Sequence, residues 1–498
     1  MKFLSSRSIY FVIIVVAIVA GFASCKKQLM GDITANKNPE THTIIDTIIR
    51  NGNTRFPSLV KINWWGDDAD GFIVAYEYTF DKNITAATQW KKLKGLDSTF
   101  TLITPAGIDT ADFIFSVRAI DNKGAVDESP ARVRYPVKNS APTINFTTGI
   151  YNPTYTFPVV RLYWQTNDLD GADNIDHLEL IWNDTTLHPT SISATITSAI
   201  FEATTLTSNT STTKIYPNNI TKALDSVVAN MKLQANNQLY IRVVDKSNAK
   251  SRWVSSYNFY VRKPSSTILL VDAYAATSPS TVSFYAQRMV NRSHPIFDTM
   301  LLFKQSAGQY LELGADDATR KKVFKLFNTI IWFGDNTATS LGIAQKTLTD
   351  FIGNGGKIFM VNTMQKLFDN NSPLLSITPA ATMVEYTDTA LVWLADSLAL
   401  SPASGYPTLK NMVYIPVVKP MQLASGAYSL YDAHLSLKNT ITNQTPYPLW
   451  VGNSSIIAAD KPTGQNPHFI YSEIDLQLLN GNNNIDIMWG KMMGEFGL

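Results

Sequence analysis

"VKINWWGDDADG" (residues 60–71) and "VRLYWQTNDLDG" (residues 160–171) share a valine, a base, an aliphatic residue, a tryptophan, two aspartates and a glycine at matching places. In the first, Val60, Ile62 and Trp64 alternate with Lys61 and Asn63. In the second, Val160, Leu162 and Trp164 alternate with Arg161 and Tyr163. A period of two marks a strand with one buried face. Each run ends in Asp-Gly, where glycine supplies the positive backbone dihedral a tight turn wants. A second strand follows, "FIVAYEYTF" (72–80) in one copy and "HLELIW" (177–182) in the other. The copies also close alike, on "FIFSVRAIDNKG" (113–124) and "LYIRVVDKSNAK" (239–250).

A repeat of this kind predicts two all-β sandwiches in tandem. The motifs resemble the fibronectin type III and immunoglobulin-like modules of bacterial envelope proteins, over 57–138 and 143–262. That resemblance implies that Trp64 and Trp164 pack between two sheets and that the "VRAID" strand lies late in its module. Asp67, Asp68 and Asp70, or Asp168 and Asp170, offer hard oxygen ligands for calcium, but no bidentate glutamate follows at loop spacing and Asp-Gly turns need no metal. Trp65 and Trp90 offer a sugar-stacking platform, although tryptophans in sandwiches are mostly core. No metal or other cofactor is expected.

The 498 residues are 45% hydrophobic, enough for about three domains. With 42 basic against 40 acidic residues and no basic run, nucleic acid is excluded as a partner class. One cysteine permits no intrachain disulfide and no thiolate metal cluster. That cysteine ends "FASC" (22–25), behind Lys2, Arg7 and an apolar run from Ile9 to Ala23. The run is shorter than the ~18 to 20 residues of a spanning helix, so residues 1–24 read as a cleaved export signal. Ala23 and Ser24 before Cys25 resemble the lipobox of bacterial lipoproteins, apart from Phe22 where a leucine is usual. The resemblance implies lipidation at Cys25, and Lys27, where an aspartate would signal inner-membrane retention, implies the outer membrane. Residues 25–56 then read as a polar, lipidated tether.

From Ser265 the texture changes. "STILLVDAY" (266–274), "NTIIWFGDN" (328–336) and "GKIFMVNT" (356–363) are continuous apolar runs of the sort buried parallel strands show, separated by helical patterns at 281–292 and 340–356. The alternation predicts an α/β doubly wound, flavodoxin-like domain over 266–498. "DFIGNGGKIFMVNT" (350–363), "HFIYSEIDLQLLNG" (468–481) and the terminal "GEFG" (494–497) resemble the class I glutamine-amidotransferase fold. At that family's nucleophile, histidine and glutamate places stand Asn362, Tyr471 and Glu473. Without thiolate or base, covalent acyl transfer is not expected. No G-x-S-x-G elbow and no paired-histidine zinc motif occurs among the six histidines either.

Ligands of open α/β sheets gather beyond the carboxyl ends of the strands. The candidate ligand-binding residues are therefore Asp272, Asp335, Asn336, Asn362, Thr363 and Glu473, with helix N-termini favouring an anionic group. The competing reading is that these residues cap helices and make turns. The stretch 365–460 falls inside the domain as a lid or partner face. Two functions follow as expectations: a lipid-anchored, non-catalytic binding or scaffold protein recognising a glycan, peptide or envelope partner, or a hydrolase using carboxylates such as Asp272, Asp335 and Glu473.

Overall fold

The computed structural model describes residues 35–44, 55–147, 154–274, 279–292, 294–302, 316–335, 338–363, 370–384, 389–439, 442, 445–460 and 466–498. The export signal, Cys25, most of the tether and Asn336 lie outside these residues. The chain forms two compact units, 1–139 and 140–498.

In the first unit, the alternating apolar residues build a sandwich of three and four strands. One sheet runs Glu40–Ile44, Leu59–Asp67, Asp97–Thr101; the other runs Lys91–Leu93, Ile73–Thr79, Thr110–Asp121, Ala131–Lys138. Between them Val60, Ile62 and Trp64 meet Tyr76, Phe115, Val117 and Val137. The Trp64 ring lies 5.8 Å from that of Phe115. Glu40–Ile44 corrects the reading of 25–56 as tether throughout. This "ETHTI" segment pairs antiparallel with Leu59–Asp67, and the Thr41 hydroxyl accepts the Ala119 N–H at 2.8 Å. Its threonines and isoleucine suit a pleated edge despite the polar composition.

The second unit opens with a larger sandwich. Its main sheets run Val227–Lys232, Thr210–Pro217, Ser198–Ala203, Val159–Asn167, Thr143–Phe146, and Thr190–Ser193, Ile175–Trp182, Leu239–Asp245, Val254–Ser255. Trp164 is 2% exposed and Trp182 fully buried in the core between them. The repeat extends to the outer faces. Glu77 pairs with Arg118 at 2.8 Å across neighbouring strands, and the guanidinium lies 4.1 Å over Trp90. In the second copy Glu179 pairs with Arg242 across strands, and that guanidinium lies 4.3 Å over Trp253. Each arginine thus binds a carboxylate at its edge and an aromatic ring on its face.

The continuous apolar runs become the centre of a nine-stranded sheet. Its elements are β1 (Ile268–Ala273), α1 (Pro279–Asn291), β2 (Asp298–Leu301), α2 (Asp317–Phe324), β3 (Thr329–Gly334), α3 (Ala338–Gly353), β4 (Lys357–Asn362), β5 (Leu398–Leu400), β6 (Leu409–Lys410), β7 (Tyr428–Ala433), β8 (Ser455–Ala459), β9 (Phe469–Ser472) and α4 (Ile485–Glu495). The order is β2-β1-β3-β4-β9-β8-β7-β5-β6. The first five strands are parallel and the rest antiparallel. Val323 and Phe324 of α2 and Leu341, Ala344 and Leu348 of α3 share a core with Leu269 and Val271. Tyr285 and Met289 of α1 and Met488, Trp489 and Met492 of α4 share another with Ile268 and Leu270, on the opposite face. Among the described residues strand takes 43% and helix only 13%, so they are mainly β, and helices are too few to support the α/β flavodoxin-like domain expected over 266–498. The segment 365–460 contributes β5 to β8 and two small two-stranded sheets, Ala380–Met383 with Met421–Leu423 and Thr389–Val392 with Ser436–Asn439, among its described residues, where a lid or partner face was expected.

The second sandwich and this sheet share one core. Phe157, Val159 and Ile200 belong to the cluster under α2 and α3, and the Phe157 ring meets Phe327 at 5.2 Å. Beside it Arg161, its side chain 9% exposed, pairs with Asp316 at 2.9 Å. Asp316 also caps α2 through the Ala318 N–H at 3.0 Å. Burial opposes ionisation of Asp316, but bonds from Thr319 and Arg161 outweigh it and hold its carboxyl below the ordinary value.

Candidate functional site

Parallel register brings the candidates to one level of the sheet. Asp272 stands opposite Phe333, Gly334 opposite Asn362, and Val361 opposite Ser472, the residue before Glu473. The connection after β1 runs over one face through α1, whereas α2 and α3 lie on the other. The carboxyl ends of β1 and β3 therefore flank a topological switch point, where open sheets leave a crevice. Gly334 is required there. A Cβ on it would sit 2.9 Å from the Ala273 Cβ and 3.0 Å from both Asn362 Oδ1 and Ser340 Oγ.

Asn362 is fully buried and tied down on one side only. Its Nδ2 donates to the carbonyls of Asp335 at 2.9 Å and Thr363 at 3.0 Å, while its Oδ1 has no hydrogen-bond partner among the described residues. Tyr471, in the family's base position, is also fully buried. Its hydroxyl donates to the Asn362 carbonyl at 2.6 Å and lies 3.1 Å from Glu473 Oε2. Burial, reinforced by the nearby Glu473, pushes the phenol well above its ordinary value. A phenol so held is a poor proton acceptor. Asp335, Asn362, Thr363, Tyr471 and Glu473 thus form one hydrogen-bonded group.

Asp272 belongs to a neighbouring group. It is 2% exposed and accepts the Tyr274 N–H at 3.1 Å, the local turn role that competes with ligand binding. The Tyr274 hydroxyl donates to Asp475 Oδ1 at 2.8 Å. Burial pushes the Asp475 carboxyl above its ordinary 3.8; the Tyr274 bond opposes this and the charge of Asp335 adds to it. Asp475 was missed by sequence reasoning. Its only signal is the second acid of "SEID", two places beyond Glu473. With Asp272, Asp335, Glu473 and Asp475 at one edge, an anionic ligand is disfavoured among the described residues, contrary to the expectation from helix N-termini.

The aspartate turns of the sandwiches are explained by their own backbone. Asp168 accepts the Asp170 N–H at 2.8 Å and Asn174 Nδ2 at 3.1 Å, and Asp70 accepts Lys37 N–H and pairs with Lys123. Gly171 has the expected positive φ of 102°. Gly71 does not; there the lack of a Cβ makes room for Asn122 and Asp68. Glu40, His42 and Asp67 come within 4.8 Å of one another, but His42 already stacks on Trp65 at 4.1 Å and bonds Asp67. Trp90 lies under Arg118, and Trp65 lies against His42.

No family model and no curated protein matches the chain. Among solved structures, the fibronectin(III)-like modules of CbhA from Clostridium thermocellum match at 13% identity and TM-score 0.17, over 44% of this chain and 94% of that one. A two-domain fibronectin type III segment of chicken tenascin matches at 10% identity and TM-score 0.20, over 45% and 100%. A tetra-tandem repeat from the extending region of a large adhesion protein matches at 13% identity and TM-score 0.19, over 44% and 48%. By their own strand order, the two N-terminal sandwiches are fibronectin type III-like modules.

Proposed function

We propose that the chain is a lipid-anchored envelope protein that binds rather than catalyses. In this reading two sandwich modules space a C-terminal flavodoxin-like, glutamine-amidotransferase-like domain away from the outer membrane. That domain has exchanged its nucleophile and base for a recognition pocket at the ends of β1, β3, β4 and β9. One observation carries the reading: the residues in the nucleophile and base places bond to each other, Tyr471 to the Asn362 carbonyl, and neither offers a free base or a thiolate. The ligand is a hydroxyl-rich glycan or a cationic segment of an envelope partner, oriented by the Asn362 amide and the flanking carboxylates. The test is to screen the chain against glycan and envelope-component arrays while assaying turnover of the same panel and of glutamine. Binding that is lost in Asp335→Ala and Asn362→Ala, without turnover, is expected. Glutamine hydrolysis, or binding indifferent to both substitutions, overturns the reading.

A further inference from the structure

The first sandwich carries a groove that its core packing does not fill. It measures about 500 Å³ and opens where the edges of the two sheets meet, lined by Tyr78, Phe80, Phe100, Phe113, Gln89 and Lys91. Its strands are Asp97–Thr101, the outer strand of the three-stranded sheet, and Lys91–Leu93, the outer strand of the other. The four rings are half-buried and interlock edge to face, Phe80 lying 5.4 Å from Phe100 and 6.5 Å from Phe113. The result is an aromatic wall with hydroxyl and amide groups beside it, from Thr101 and Gln89. Pockets of this size, apolar with a few placed polar groups, are the usual form of small-ligand sites.

Charge narrows the occupant. Lys91 at the mouth is exposed and makes no ion pair among the described residues, and the same holds for Lys82, Lys92 and Lys94 nearby in the chain. Asp81 is the one acid on the lining. An extended peptide is disfavoured, because lysines on an edge strand hinder strand addition. A sugar needs no backbone ladder: its C–H faces pack on aromatic rings, its hydroxyls bond the rim, and a carboxylate on the ring meets the ammonium. We propose that this groove binds an acidic, uronate-type oligosaccharide, with Lys91 as the charge partner. The groove lies in the first unit and the strand-end pocket in the second, so either proposal stands if the other fails.

The test titrates the full-length chain in detergent with tetragalacturonate, with its neutral methyl ester and with hexaglutamate, by calorimetry. Tetragalacturonate is expected to bind, to weaken as salt rises, and to weaken about tenfold in Lys91→Glu, the scale of one lost charge-assisted bond. The methyl ester is expected to bind less tightly. Gln89→Ala, at an exposed position, should weaken binding with unchanged melting, which separates contact from folding. Absence of tetragalacturonate binding, equal affinity in Lys91→Glu, or equal affinity for hexaglutamate overturns the proposal.

Discussion

Asp475 shows how a half-buried carboxyl bears on the strand-end group. Because its carboxyl is raised above 3.8, the fold favours its protonated form. That contribution is fully present below pH 3.8 and is lost as pH rises through the raised value. Above the raised value an ionised Asp475 beside Asp335 therefore weakens the domain. Asp475→Asn keeps an acceptor for the Tyr274 hydroxyl and removes the charge. It should melt higher than the native chain at neutral pH, with the gain shrinking to nothing below pH 3.8 by calorimetry; a lower melting temperature at neutral pH refutes the assignment. Tyr471→Phe leaves a buried carbonyl and carboxylate short of a partner and should cost about 1–3 kcal/mol in denaturant unfolding. Asn362→Cys should create no glutaminase activity, since a thiol without a basic partner stays mostly protonated. Asn362 and Glu473 were legible because a strand run followed by short polar residues marks a carboxyl end. Asp475 was not, because what raises it is burial and the tertiary approach of Asp335, which have no local pattern.

At the scale of elements, the two tryptophan strands look alike but sit in different surroundings. Trp64 is 1% and Trp164 is 2% exposed. Truncating either to alanine should cost ~3–5 kcal/mol. The strand of Trp164, however, begins at Val159, which lies in the core shared with α2 and α3. In a calorimetric scan Trp64→Ala should lower only the transition of the first unit, and Trp164→Ala should lower that of the sandwich and nine-stranded sheet together. A sandwich that melts alone in Trp164→Ala contradicts the shared core. Arg161→Ala strips the half-buried Asp316 carboxylate of its ion-pair partner and should cost about 1–3 kcal/mol. Period-two alternation made each sandwich strand readable, and continuous apolar runs did the same for β1, β3 and β4. What joins the elements was opaque: Phe157 and Ile200 read as ordinary strand residues until packing places them against Phe327 and Val323. The strand Glu40–Ile44 was hidden likewise, since an edge strand needs pairing more than hydrophobicity.

For the whole molecule the question is what holds it at a membrane, and the proposed answer is one residue. No helix among the described residues is long and apolar enough to cross a bilayer. A net charge of +2 over 498 residues gives the chain little overall attraction to anionic lipid. In the proposed reading attachment rests on acyl chains on Cys25, each buried methylene contributing about 0.8 kcal/mol, so that several chains hold firmly where one does not. Such an anchor is indifferent to salt, because it has no electrostatic part. The native chain should stay with membranes through high-salt and carbonate washes and leave only with detergent. Cys25→Ser should shift it to the soluble fraction with both folded units melting as before, since a lone cysteine makes no intrachain disulfide. If Cys25→Ser remains with membranes through the same washes, the lipid anchor is wrong, and a partner held by one of the two proposed sites becomes the explanation to pursue.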